Sequence, residues 1–354
     1  MNLRKNLLLR YNQTMNEEVK SLLNWYDKNK REFPWRQDKD PYHVWISEIM
    51  LQQTRIEAVI EYYKRFLKEI PSISELSTID EDKLLKLWEG LGYYSRARNL
   101  KKAAKKVMEE YDGTFPEEYK DIIELPGIGE YTAGAISSIC FQKKEVCIDG
   151  NVMRVYARLN HSNIDVQDKK EKKKVAQEIK KILPKKTGDF NQALMELGET
   201  ICIPNGMPKC SICPLEKFCK AHKKGKESVI PEKKTKKEKK EEEYTIFLIQ
   251  YKNLFAIKKR DSGLLKNMWE FPNRKGILSI EEIKNIFSTQ EVEKGTKTIH
   301  IFTHKKWKMS SFIIKASKQN KEYTWVTLND IEKEYALPTA FKPFFKYLKE
   351  KYPQ

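Results

Sequence analysis

"LPGIGEYTAG", residues 125–134, carries the reading of the first half of the chain. Pro126 ends a helical run, and Gly127 and Gly129 let the backbone turn and approach a ligand closely before a second helix starts. The N–H groups at the start of that helix lack intrahelical partners and form an anion site. A nucleotide P-loop is excluded, because the Gly-x-x-x-x-Gly-Lys-Ser/Thr spacing is absent and no lysine follows the second glycine. An ordinary helix-turn-helix connection would explain most glycine-containing turns. The full Leu-Pro-Gly-Ile-Gly pattern shifts the balance toward a hairpin that binds an anion.

The composition agrees. The 354 residues include 68 Lys plus Arg against 50 Asp plus Glu, a formal charge of +18. Nucleic acid is the partner such a surplus points to first, ahead of an anionic membrane surface. No apolar run approaches the length of a spanning helix, so no membrane partner is expected. The length favours two domains. The opening "MNLRKNLLLRYNQTM" is basic and free of acids; it reads as a frayed tail over 1–14, with a short targeting sequence as the competing reading. Cys140 and Cys147 sit in apolar text and read as buried thiols, in a chain without a secretion signal. A reducing, cytoplasmic compartment is expected, nucleoid-associated if the source is bacterial.

Helical stripes fill the first half. In "NEEVKSLLNWYDKN", Val19, Leu22, Leu23 and Tyr26 fall at i, i+3, i+4 and i+7, and similar stripes recur to about residue 200. An all-helical domain over 15–222 is expected. Residues 223–243, "KKGKESVIPEKKTKKEKKEEE", are too charged to bury a core and read as a linker. Beyond it "YTIFLIQY", "LFAIKKR", "TIHIFTH", "SSFIIKA" and "YTWVTL" are β-rich runs with helical text at 280–287 and 340–350, which predicts an α+β domain over 244–354.

Two carboxylates and four thiols stand out. Glu48 lies in "VWISEIML", apolar on nearly every side, where burial raises a carboxyl pKa and makes a general acid near neutral pH. The pattern alone slightly favours a glutamate in a polar interior contact. Asp149 in "CIDGNVMRV" sits where a strand-like run meets a helix and reads as an N-cap, a place from which it also stabilises positive charge. Cys202, Cys210, Cys213 and Cys219, spaced x7, x2 and x5, suit Zn²⁺ or an iron–sulfur cluster, and spacing does not choose between them.

"WISEIMLQQT", "GLGYYSRARNL", "LPGIGEYTAGA" and "CIDGNVMRVYARL", in that order within a match over residues 16–222, resemble the helix-hairpin-helix DNA glycosylases, and within them the MutY family of adenine DNA glycosylases. The resemblance implies flipping of adenine out of the duplex, protonation of the base at N7 by Glu48, and stabilisation of the oxocarbenium-like sugar by Asp149 with support from Asn151, before water completes hydrolysis. It places Trp35, Arg36 and Glu196 at the adenine pocket, and Gln53 and Tyr93 as wedges in the duplex. The family binds a [4Fe–4S] cluster at loop 202–219, usually with six residues in the first gap; here there are seven, "IPNGMPK".

"GLLKNMWEFPN" and "IHIFTHKKW" resemble the Nudix-like C-terminal domain of the same family. The glutamate-dense helix of a Nudix hydrolase is missing, so hydrolysis of diphosphates is not expected. The resemblance implies instead that Phe302, Thr303 and His304 read 8-oxoguanine opposite the adenine, with Thr303 where the family carries serine. The whole is expected to be a monomeric, monofunctional base-excision enzyme on double-stranded DNA. A strand-cleaving lyase of the endonuclease III type needs a nucleophilic lysine where Tyr131 stands. A non-catalytic DNA-binding protein would lose a carboxylate, yet Glu48 and Asp149 are both present.

Overall fold

The computed structural model describes residues 17–232 and 238–353. The tail assigned to 1–14 lies outside the described residues. The chain divides into two compact units: Met1–Ser77 with Asn99–Lys234, and Thr78–Arg98 with Thr235–Gln354. No helix among the described residues is long and apolar enough to cross a membrane.

The helices in chain order are α1 (17–29), α2 (Pro41–Leu51), α3 (Ile56–Glu69), α4 (Ile73–Thr78), α5 (Glu81–Leu87), α6 (Ser95–Glu110), α7 (Tyr119–Ile122), α8 (Glu130–Ile139), α9 (Gly150–Asn160), α10 (Lys169–Lys180), α11 (Thr187–Thr200) and α12 (Lys220–Lys223). The stripe on α1 does what its spacing predicts: Val19, Leu22 and Tyr26 are buried against Val152 and Met153 of α9 and Leu194 and Leu197 of α11, with Leu23 partly covered. Each fully buried Leu of this kind contributes about 1.5–3 kcal/mol. α2 starts at Pro41 behind the Asp40 cap, whose carboxylate accepts from Tyr42 N at 2.8 Å, and it packs on α8.

The strand-like run before Asp149 forms no ladder. Its backbone is satisfied by a side chain: Asn191 accepts from Cys147 N at 3.4 Å and donates to Glu145 O at 2.8 Å. Gly134 of α8 lies so close beneath that a Cβ there would meet Val146 O at 2.1 Å. The extended segment is thus held between two helices.

The second unit is built on seven strands, β1 (Lys240–Tyr251), β2 (Leu254–Lys259), β3 (Trp269–Glu270), β4 (Asn273–Lys275), β5 (Val292–Ile301), β6 (Lys305–Lys315) and β7 (Thr324–Val326). The order is β3-β2-β1-β6-β5, with β4 on β1 and β7 on β2; β1 and β6 are parallel and the remaining pairs antiparallel. Alternation on β1 supplies two cores: Ile246 and Leu248 join Phe344 and Leu348 of α15 (Lys342–Lys351) and Ile331 of α14 (Leu328–Lys333), while Phe247 and Ile249 join Ile283 of α13 (Ile280–Phe287).

Two boundaries differ from the expected ones. β1 begins at Lys240, inside the expected linker, because its acids find partners in register on β6. Glu241 pairs with Lys306 at 2.7 Å, and Glu242 accepts from Lys305 at 2.9 Å and from Trp307 Nε1 at 3.0 Å. Charge density that forbids a core in isolation is neutralised here by the neighbouring strand. Thr78–Arg98 groups with the sheet unit rather than with the helical one. Glu81 accepts from Asn267 Nδ2 at 2.9 Å, Asp82 pairs with Lys259 at 2.7 Å, and Lys86 donates to the Tyr335 carbonyl at 3.0 Å.

Candidate functional site

Seven of the residues singled out by sequence line one cleft of about 960 Å³ in the helical unit: Trp35, Arg36, Glu48, Tyr131, Asp149, Asn151 and Glu196. They arrive from the 3-10 turn Pro34–Arg36, α2, α8, the start of α9, and α11.

Glu48 is only 8% exposed, and its Oε2 has no hydrogen-bond partner among the described residues. Burial pushes its carboxyl up to about 7; Tyr131 and Arg36 oppose the rise and Asp149 adds to it. Asp149 caps α9, accepting from Val152 N at 2.7 Å and from Asn151 Nδ2 at 2.8 Å. Burial raises its pKa as well, while Val152 N, Asn151 and Arg154 hold it down. Two carboxyls in one cleft therefore differ in surroundings: one has a bare oxygen, the other is anchored by donors. That asymmetry is what acid and charge-stabilising roles require.

Tyr131 donates to Met195 Sδ at 3.1 Å. Trp35 stacks on Phe33 with centroids 5.0 Å apart and meets Tyr63 edge-on. Glu196, 1% exposed, is held on both oxygens: by Arg31 Nε at 2.5 Å and by Arg36 at 2.8 Å. Arg31, which also pairs with Glu199, was not singled out from sequence; its position five residues before the Arg36 of "FPWR" was the available hint.

Arg154 and Arg158 were missed as well. Both are buried on α9. Arg154 donates to Asn151 Oδ1 at 2.8 Å, Gly198 O at 2.7 Å and Cys202 O at 2.8 Å. Arg158 donates to Cys202 Sγ at 3.3 Å and Ile203 O at 2.9 Å, and its carbonyl accepts from Cys219 Sγ at 3.4 Å. Two arginines at i and i+4 inside apolar helical text were the legible signal, since such cations are buried only when paired.

The four thiols share one loop. Burial pushes Cys213 up to about 12, with Cys202, Cys210 and Cys219 adding to the rise. The long first gap closes through Lys209 N donating to Ile201 O at 3.0 Å, with Gly206 at φ +78° making the turn. Thiolates on one tetrahedral zinc would stand roughly 3.8 Å apart. Among the described residues, the group of three ligand atoms lying mutually within 4.8 Å is Cys210, His222 and Glu227, not three of the thiols. Cys202, Cys210, Cys213 and Cys219 act on one another's titration, so four soft donors share one neighbourhood and suit a bound metal or cluster.

In the hairpin, Gly127 has φ +83° and packs on Asn99, while Gly129 is the N-cap of α8 without a side chain to cap it. Gln53 and Tyr93 are exposed and left-handed, with φ of +59° and +47°. In the sheet unit, Phe302 packs edge-on to Trp307 at 4.7 Å, and Thr303 Oγ1 lies 2.5 Å from the Tyr93 hydroxyl. His304 is exposed.

Residues 46–185 match the HhH-GPD superfamily of base excision DNA repair proteins, and residues 245–347 match the NUDIX domain. The chain is 39% identical over 331 residues to the adenine DNA glycosylase of Buchnera aphidicola subsp. Baizongia pistaciae, covering 88% of this chain and 91% of that protein. It is 30% identical to the adenine DNA glycosylase of Homo sapiens, covering 94% of this chain and 74% of that one. Among solved structures, a thermostable thymine-DNA glycosylase superposes with TM-score 0.56 at 30% identity, over 60% of this chain and 99% of that one. An endonuclease III trapped as a covalent intermediate with DNA shares the fold, with TM-score 0.52 at 22% identity over 60% and 98%. The helical hairpin unit, the Nudix-type sheet unit and these likenesses over most of its length together show that the chain belongs to the MutY family of adenine DNA glycosylases.

Proposed function

We propose that this base-excision enzyme hydrolyses the N-glycosidic bond of adenine opposite 8-oxoguanine in double-stranded DNA, acts as a monomer, and leaves an abasic site. The observation that carries the reading is Glu48: a buried carboxyl, pushed up to about 7, with one oxygen free of protein partners, in the same cleft as Asp149. A carboxylic acid that is still protonated near neutral pH can donate to N7 of a flipped adenine and weaken the bond to the sugar. Asp149, anchored by Val152 N and Asn151, supplies negative charge for the oxocarbenium-like sugar, and water adds to complete hydrolysis. Trp35, Arg36 and Glu196 form the wall against which the base is held. Tyr131 stands where a lyase places its lysine, so no Schiff base forms and the strand stays intact.

Gly127 and Gly129 of the hairpin take a backbone phosphate on their N–H groups, and Gln53 and Tyr93 enter the duplex from strained, exposed turns. Phe302, Thr303 and His304 read the opposing 8-oxoguanine. Cys202, Cys210, Cys213 and Cys219 hold a [4Fe–4S] cluster, which braces the 202–219 loop when bound; Arg154 and Arg158 tie that loop to α9.

A labelled duplex with adenine opposite 8-oxoguanine tests the reading. Strand breaks only after hot alkali support it; breaks without alkali point to a lyase. Absence of an abasic product with both carboxylates intact overturns it.

A further inference from the structure

The loop between β5 and β6, residues 302–304, is held by a glutamate from the charged run that opens the sheet unit. Phe302 N donates to the Lys305 carbonyl at 2.8 Å, the Phe302 carbonyl accepts from Lys239 Nζ at 2.8 Å, and Lys240 N donates to the His304 carbonyl at 3.2 Å. The Phe302 ring lies edge-on to His300 at 4.5 Å and to Trp307 at 4.7 Å. Trp307, 1% exposed, is walled in turn by Tyr244 at 4.6 Å and by the Arg260 guanidinium at 5.4 Å. Its indole N–H donates to Glu242 Oε2 at 3.0 Å. Glu242 stands opposite Trp307 in the parallel register of β1 and β6, is 6% exposed, and also accepts from Lys305 Nζ at 2.9 and 3.1 Å. Side chains two apart on a strand share a face, so one buried carboxylate holds the first and third residues of the strand that leaves the loop.

We propose that Glu242 is a positioning residue for recognition of the base opposite adenine: it fixes Lys305 and Trp307, and through the Trp307 ring it sets the place of Phe302. The proposal rests on the reading of Phe302, Thr303 and His304 as the contact with 8-oxoguanine. A short loop that must meet a flat base binds more tightly when its aromatic ring is ordered beforehand, because the ordering then accompanies folding rather than binding. Burying a carboxylate is unfavourable unless it is paired and hydrogen-bonded. Glu242 has a lysine, an indole N–H and, at 3.6 Å, Lys275. The same face of β1 continues as Tyr244, Ile246 and Leu248 into the apolar core. An acid at the end of that face therefore serves the loop rather than the packing.

The test is the affinity of the full chain for two duplexes, with 2′-fluoro-2′-deoxyadenosine opposite 8-oxoguanine or opposite guanine, alongside single-turnover excision of ordinary adenine. Glu242→Gln keeps the shape and removes the charge that holds Lys305 and Trp307. The preference for 8-oxoguanine should then fall about tenfold, the scale of a hydrogen bond to a charged group, while affinity for the guanine duplex and the saturating excision rate stay within about twofold. Trp307→Phe keeps a ring and loses only the N–H; it should lower the preference about threefold, and adding it to Glu242→Gln should lower it no further. Trp307→Phe decides the matter alone if Glu242→Gln does not fold. Equal losses on both duplexes, a preference kept by either folded variant, or additive losses would overturn the proposal. Phe302→Ala tells the two readings apart. If it too keeps the preference, the assignment of the loop is what fails; if it erases a preference that Glu242→Gln and Trp307→Phe keep, the loop reads the base without Glu242.

Discussion

Glu48 is costly to the fold in a way that can be measured. Its pKa rises from the ordinary 4.5 to about 7 on burial, so the native state binds the proton more tightly than the unfolded chain does. The sign follows: full stability holds below about pH 4.5, and stability declines as pH rises toward 7. The loss amounts to about 3 kcal/mol. Glu48→Gln is therefore expected to abolish excision yet raise the thermal midpoint at pH 8, with little gain at pH 5; equal shifts at both pH values would contradict the burial argument. With Glu48 as the proposed acid, excision by the native enzyme is expected to fall as pH climbs through about 7. Glu48 and Asp149 were legible in sequence because each is a carboxylate at a distinctive place in its element, one in apolar text and one before a helix. Arg31 was not, since its place depends on Glu196 and Glu199, and only the fold brings those partners together.

At the level of elements, α9 and α11 depend on how closely they pass. A Cβ on Gly198 would lie 2.7 Å from Asn151 Cβ and 3.1 Å from Asn151 Cα. Gly198→Ala must therefore push Asn151 off Asp149, with an expected cost of about 1–3 kcal/mol and a larger loss of excision rate than of DNA affinity. Circular-dichroism melts and single-turnover rates on the same sample check both parts. Arg154→Gln removes donors from Gly198 O, Cys202 O and Asn151 Oδ1. It should cost about 2 kcal/mol or more and weaken retention of the cluster, read from visible absorbance on gel filtration. In the hairpin, Gly127→Ala meets both the left-handed φ and Asn99, at 2.6 Å from its Cβ, and should weaken binding to any duplex whatever the base pair. The hairpin itself was plain in sequence, because proline and glycine act locally. The segment before Asp149 was not, because an extended run paired to a side chain has the same composition as a strand.

For the whole molecule, a formal charge of +18 makes affinity for DNA a function of salt. With six to ten phosphate contacts, affinity should fall about 10³- to 10⁵-fold between 50 and 200 mM salt; a flat response would mean that the charge lies away from the duplex. Composition gave the two-part plan, since the change from helical to strand periodicity survives any packing detail. It could not show that Thr78–Arg98 belongs with the sheet unit, because those contacts join residues far apart in the chain.

That partition bears on modularity. The chain passes between the units three times, after Ser77, Arg98 and Lys234, so the sheet unit is not a cassette appended at one joint. A gene ended at codon 232 would still encode Asp82 and Glu89 but delete Lys259, Lys342 and the Leu337 N–H that answer them. Such a truncation would take Lys259 from Asp82, while Glu89 would keep Lys86 at 2.8 Å.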